Sequence, residues 1–367
     1  MNTKMMLLLF TVLLFALTEG TATTSAEFVQ WKHKFNRTYK TESAEVAAFI
    51  EWSKNRIIVQ SNNEKGSWTA ELGKFADLSM EEFQKKMLMK VTSPSTMTRK
   101  VGGLKVKAAG SLPAAFDWRT DGATAAVTSV KDQGFVGSCW AFSTIGNIEG
   151  QWALSGKDLV DLSAEFLVDC DGTHDDTHAD CSVFGGWPYL AYDFVIGAGG
   201  VPSEEADPYC AGTGDCYPCM NGPVSLCGPP PYSCNRTITQ QCAYMTPTAS
   251  ISAWSAVSTD EDQIAATLVA QGPLSVLLDA SQLQYYKSGV WNGHLDSVSP
   301  ALGCKPTNLD HAVLLVGYGV DSTSGTDVPF WTVKNSWGAD WGEDGYFRIQ
   351  RGVGMCGINT AVTTSIV

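Results

Sequence analysis

After Cys139 the apolar residues Ala141, Ile145, Ile148 and Trp152 recur at spacings of four, three and four. That rhythm predicts a helix with one buried face, running to about Leu154. A different pattern follows His311: Ala312-Val313-Leu314-Leu315-Val316-Gly317-Tyr318 is a β-branched and leucine run, which predicts a buried strand with histidine at its start. Trp52, Asn55, Val59 and Asn63 keep a helical rhythm nearer the amino terminus. Val91 to Gly110 has no apolar period and is rich in Ser, Thr, Gly and Lys, which predicts an exposed, cleavable linker. The chain opens with Lys4, an apolar run from Met5 to Leu17 and small residues at Gly20 to Ala22, the layout of a cleaved secretory signal over residues 1–20. No second apolar stretch approaches the length of a membrane span.

The helix matters because of what opens it. In Gln133-Gly134-Phe135-Val136-Gly137-Ser138-Cys139-Trp140-Ala141-Phe142 a side-chain amide and a flexible glycine approach lead to a cysteine in the first turn. Free backbone N–H groups and the positive end of the helix dipole favour a thiolate there, and the thiolate is the nucleophilic form. A base must complete the pair. The chain has 5 histidines. His33 lies in the leader region, His174 and His178 in an acidic loop and His294 after a Trp-Asn-Gly turn, which leaves His311 as the candidate.

Together with Asp310-His311-Ala312-Val313 and Lys334-Asn335-Ser336-Trp337-Gly338, the cysteine segment resembles the three signature blocks of the papain and cathepsin family of cysteine proteases. The resemblance implies an α+β, papain-like fold of two subdomains. One is helical around Cys139. The other is β-barrel-like, with strands around Leu274 to Leu278, Ala312 to Tyr318, Phe330 to Lys334 and Gly345 to Ile349. It implies Cys139 as nucleophile, His311 as its proton partner and Asn335 as the amide orienting that imidazole. Gln133 would donate to the oxyanion, and Trp337 would shield the His311–Asn335 bond. Gly185-Gly186-Trp187-Pro188 resembles the family's substrate-binding segment. Trp187, Pro188, Leu277, Leu309, Ala312 and Ala361 fall at pocket positions, all uncharged, so the pocket should take an apolar side chain two residues before the scissile bond.

The resemblance extends into the leader. Phe28, Trp31 and Tyr39, the Trp52 helix and Leu72-Gly73-Lys74-Phe75-Ala76-Asp77 are similar to the helical proregion of cathepsin L-like zymogens, with Ala44, Ala48 and Gly73 as departures. The implied division is a proregion over 21–110 and a catalytic domain over 111–367. Charge supports it independently: residues 21–110 hold 15 Lys and Arg against 9 Asp and Glu, and residues 111–367 hold 9 against 28. A basic proregion should bind the acidic catalytic domain, block the cleft in the reversed orientation that the resemblance implies, and release it as acid protonates the carboxylates. The acid balance, −13 overall, argues against a nucleic-acid partner.

All 11 cysteines follow residue 138, which in an oxidising compartment suggests five disulfides and one free thiol at Cys139. By resemblance Cys304 pairs with Cys356, and Cys170 with Cys242. Val136 stands where the family has a cysteine, so Cys181 needs a mate in the cysteine-rich insertion from about Cys210 to Cys242. Cys216 and Cys219 have zinc-ligand spacing, but a secreted, histidine-free segment favours disulfides, so no metal or cofactor is called for. The absence of paired histidines there favours an endopeptidase over a dipeptidase. Expected partners are peptide and protein substrates, the proregion itself and cystatin-like inhibitors. The expected form is a monomer in a lysosome-like acidic vesicle or secreted, with Asn36 and Asn235 in glycosylation triplets.

Overall fold

The computed structural model describes residues 24–89, 112–171, 183, 185–210, 242, 245–295, 303–323 and 325–367. The signal segment, the linker, Cys181 and nearly all of the insertion lie outside the described residues. No helix among those described is long and apolar enough to cross a membrane.

The amino-terminal unit contains α1 (residues 24–34), α2 (Glu42–Lys65), the short strand β1 (Thr69–Ala70) and α3 (Met80–Met87). Its own core is aromatic: Phe28, Trp31 and Trp52 close on Ala48 and Ala76. Trp52, Asn55 and Val59 share the buried face of α2, as their spacing predicts. Asn63 is tied differently, exchanging hydrogen bonds with the main chain of Ala70. Asp77 holds the unit together by accepting from Arg37 and from the Tyr39 hydroxyl at 2.7 Å. Ser79 caps α3 in a reciprocal box with Glu82.

Downstream come β2 (Phe116–Asp117), α4 (Cys139–Leu154), α5 (Ala164–Cys170), α6 (Pro188–Ala198) and β3 (Ala253–Ala256). The remainder is α7 (Glu261–Gln271), β4 (Leu274–Leu278), β5 (Tyr286–Ser288), β6 (Val290–Trp291), β7 (His311–Asp321), β8 (Val328–Lys334), β9 (Tyr346–Gln350) and β10 (Val362–Ile366). One sheet runs β3-β10-β4-β7-β8-β9-β6, with β2 added along β7. The helical and β subdomains each have an apolar core, and α4 lies between them.

Polar groups of α4 cross that boundary. Ser143 Oγ donates to Val313 O, and Asn147 Nδ2 to Pro273 O, both at 2.7 Å. Asn147 Oδ1 accepts from Tyr192 and from Ser365 N–H. Such buried bonds are costly to leave unmade, so they fix how the two walls of the cleft meet. Gly146 allows the close approach, since a Cβ there would come within 3.1 Å of Leu314. Cys170–Cys242 and Cys304–Cys356 are disulfide-bonded. Cys210 is also disulfide-bonded, to a partner outside the described residues, and Cys139 is a free thiol.

Candidate active site

The start of α4 brings Cys139 to the floor of the cleft, fully buried. Ser138 stands at the N-cap without a side-chain cap bond, because its hydroxyl meets the Tyr209 hydroxyl instead, at 2.5 Å. Opposite, β4 pairs with β7 in the register Leu277↔Ala312 and Leu278↔His311, and Ala312 N–H points at Cys139 Sγ at 3.5 Å. His311 thus lies one residue along β7 from the amide that meets the sulfur, at the strand end its sequence indicated.

His311 Nε2 meets Asn335 Oδ1 at 2.8 Å, and the same oxygen accepts Ser336 N–H at 2.9 Å. An oxygen already accepting requires Nε2 to be the donor, so Nδ1 carries the lone pair. Nδ1 is buried with no hydrogen-bond partner. Trp337 lies flat on the imidazole, with centroids 4.7 Å apart and planes 28° apart. That ring excludes water from the His311–Asn335 bond on one side.

Gln133 is buried at the mouth of the same site. Its Oε1 accepts from Ser336 Oγ at 2.6 Å, which aims Nε2 into the cleft. There the amide donates to Val136 O at 2.7 Å and to Met87 O at 3.0 Å. The second acceptor belongs to the amino-terminal unit. Two residues on, Met89 N–H donates to Asp310 O at 2.7 Å, and Met89 joins an apolar cluster with Trp187, Leu277, Leu309, Ala312 and Ala361. Gly185 lies against it: a Cβ there would sit 3.1 Å from Met89 Cβ, and the residue has φ +143°. Gly186 and Pro188 are buried in the same wall, with Pro188 opening α6. The cleft is therefore occupied by the chain's own residues 87–89.

Occupation changes the electrostatics. Burial, opposed by the Ala312 N–H bond, pushes the Cys139 thiol up to about 12, so in this form it is a thiol and not the thiolate expected from the helix terminus alone. Burial also holds His311 down to about 4 against the raising effect of Asn335, so the imidazole is neutral. The helix dipole is outweighed because burial has removed the water that would solvate an ion pair. Asp310 is raised to about 8, chiefly by burial and then by the nearby Asp279 carboxylate. Residues 87 and 89 and Tyr209 were not singled out in the sequence, and Ser336 appeared there only as part of the Asn335 block, without a role. Met87-Leu88-Met89 offered only a short apolar run beside the linker.

No group of three or more His, Cys, Asp or Glu side chains able to hold a metal occurs among the described residues.

A cysteine–histidine cleft plugged by an upstream segment of the same chain is the arrangement of a thiol protease held as its precursor. Residues 112–366 match the family "Papain family cysteine protease", and residues 28–83 match the "Cathepsin propeptide inhibitor domain (I29)". The chain belongs to the papain family of cysteine proteases and carries the cathepsin-type propeptide. It is 36% identical over 93% of its length to "Cysteine proteinase 1" of Dictyostelium discoideum, of which it covers 92%. It is 36% identical over 92% of its length to "Cysteine proteinase 15A" of Pisum sativum, covering 85% of that protein. Among solved structures it resembles a recombinant stem bromelain precursor, with TM-score 0.74 and 29% identity over 94% of this chain and 99% of that one.

Proposed function

We propose that Cys139, His311, Asn335 and Gln133 carry out peptide-bond hydrolysis once the proregion has left. The observation that carries this reading is the Gln133 amide donating to the main-chain carbonyl of Met87. A substrate carbonyl would take that place. His311 Nδ1 accepts the thiol proton as Sγ attacks the carbonyl carbon. Gln133 Nε2–H and the Cys139 N–H hold the oxyanion. The imidazolium then protonates the departing amine, leaving an acyl-enzyme. A water deprotonated by His311 releases the carboxylic acid and restores the thiol.

Chain polarity accounts for inhibition. In a substrate the pocket residue precedes the scissile carbonyl. Here the carbonyl at Gln133, from Met87, precedes the residue in the apolar cluster, Met89. Reversed in this way, the segment presents no peptide bond in the order that the machinery cleaves. The uncharged cluster supports a preference for an apolar residue two positions before the scissile bond, in an endopeptidase.

Acid activation is supported by His311. Its buried imidazole is held below the ordinary value of 6.5, at about 4. The closed form keeps the full benefit of a neutral histidine above 6.5 and loses it as pH falls through 6.5 towards 4. Salt links also cross the interface, with Lys74 2.6 Å from Asp132 and 3.7 Å from Asp340. They are few among the described residues, and one further contact, Glu71 to Lys287 at 3.5 Å, has the reverse polarity. The interface also carries aromatic contacts of Trp68, Phe75 and Phe83 with Tyr286 and Trp337, the pairing of β1 with β5 and the Tyr285 hydroxyl donating to Asn55 Oδ1.

The reading extends to a signal over 1–20, a proregion over 21–110 and a mature chain from 111, in a secretory or lysosome-like compartment. Cystatin-like inhibitors and a monomeric enzyme belong to the same proposal. Incubating the precursor at about pH 5 and about pH 7.5 tests it, with Cys139→Ala as control. Faster loss of the proregion at the lower pH, and none in the variant, is expected. Equal rates at the two pH values would refute acid activation.

A further inference from the structure

Phe135 is a large apolar side chain that the chemistry above does not use, and it stays 40% exposed even with the proregion in place. It projects from the loop between Gln133 and Cys139. One face of its ring carries the Arg37 guanidinium, 4.9 Å from the centroid. The Phe75 ring meets it at 5.8 Å and 84°. Phe75 is itself fully buried and meets Trp337 at 5.4 Å and 84°. A proregion phenylalanine thus fills a slot with two aromatic walls, Phe135 and Trp337, each presented edge to face.

The place of the slot follows from the reading of the cleft proposed above, on which this inference rests. Met89 marks the acyl side, where Gly185, Leu309 and Ala312 lie, and the Met87 carbonyl marks the scissile position at Gln133. The chain runs from the Phe75 slot on Trp337, the ring covering His311, through the Met87 carbonyl at Gln133 to Met89 in the apolar cluster, so the slot and Met89 lie on either side of the scissile position. Removing the proregion uncovers Trp337 and the remaining face of Phe135 together. We propose that these two rings form a specificity subsite on the leaving-group side, which takes an aromatic side chain of the peptide substrate in the position Phe75 now holds. Edge-to-face packing on two rings favours an aromatic guest over a flexible aliphatic one.

The test uses the fully processed protein and quenched peptides with a constant apolar acyl half. Each of the first three residues after the scissile bond is varied in turn among Phe, Trp, Leu, Gly and Glu. At one of the three positions the native enzyme should cleave Phe or Trp peptides about tenfold better than Gly in kcat/KM. Phe135→Ser should shrink that ratio to about twofold, and Phe135→Tyr should preserve it. Acyl-side selectivity, read with the same peptides, reports whether each variant has a folded cleft. Cleavage by the native enzyme without an aromatic preference at any of the three positions would overturn the subsite and leave the proposed function standing. So would an undiminished ratio in Phe135→Ser. Absence of all cleavage by the processed native protein would overturn both.

Discussion

Phe75 should be the side chain whose loss most directly loosens the plug. It is fully buried and meets Phe83 of its own unit at 5.3 Å, then Phe135 and Trp337 across the interface. Truncating a buried phenylalanine to alanine costs about 3–5 kcal/mol. Two of the three ring contacts cross the interface, so at least about 2 kcal/mol of that loss bears on holding the cleft closed. Such a loss raises the population of open precursor about 30-fold. Cys139 is a free thiol and is fully buried when closed, so its alkylation reports opening. Iodoacetamide labelling of the intact precursor near neutral pH, with the adduct located by mass spectrometry, should run about 30-fold faster in Phe75→Ala than in the native chain. Ile57→Ala, on the exposed face of α2, should leave the rate within about twofold, as surface changes do. A change below about threefold in Phe75→Ala, with its helical circular dichroism intact, would refute the assignment of this ring to the lock.

Other consequences follow from the site. Asn335→Ala removes the acceptor for His311 Nε2 and should lower kcat/KM of the mature enzyme about 5- to 100-fold, measured on a single peptide substrate. Gln133→Ala removes an oxyanion donor and should reduce kcat about 10²- to 10³-fold in the same assay, with a smaller change in KM. The raised Asp310 carboxyl works against acid release. Its neutral form is favoured in the folded precursor, so its contribution to stability is present at acid pH and is lost as pH rises from its ordinary value near 3.8 to about 8. Denaturant unfolding of the precursor from about pH 5 to about pH 8 should therefore show a decline in stability that Asp310→Asn flattens. An unchanged slope would remove Asp310 from the account.

Much of the site was legible because its elements have short-range causes. The Cys139 helix is written in one apolar stripe, and its observed end at Leu154 is where that stripe stops. The His311 strand is a continuous apolar run because β7 is covered on both faces. Strand β10 is Val362-Thr363-Thr364-Ser365-Ile366, whose buried hydroxyls lie between β3 and β4, so neither alternation nor an apolar run announces it. The state of the thiol was not legible either. A helix terminus can be read locally, whereas the complete burial of the thiol in the closed cleft depends on the whole fold. Charge asymmetry pointed to the right two partners but to only a small part of what joins them. Opposite net charges require no close pairs, and the surface between Trp68, Phe75, Phe83 and Trp337 is apolar. Phe135 lay in plain view inside the cysteine segment, but an apolar residue in a glycine-rich loop has no period to mark it.

The measurement that bears most directly on the account is hydrolysis of a fluorogenic peptide with a large apolar residue two positions before the cleaved bond. It compares acid-processed native protein with Cys139→Ala freed of its proregion by an added protease. Turnover by the native protein and none by the variant is expected. Turnover that survives loss of Cys139, or a correctly processed native protein that cleaves nothing, would contradict it.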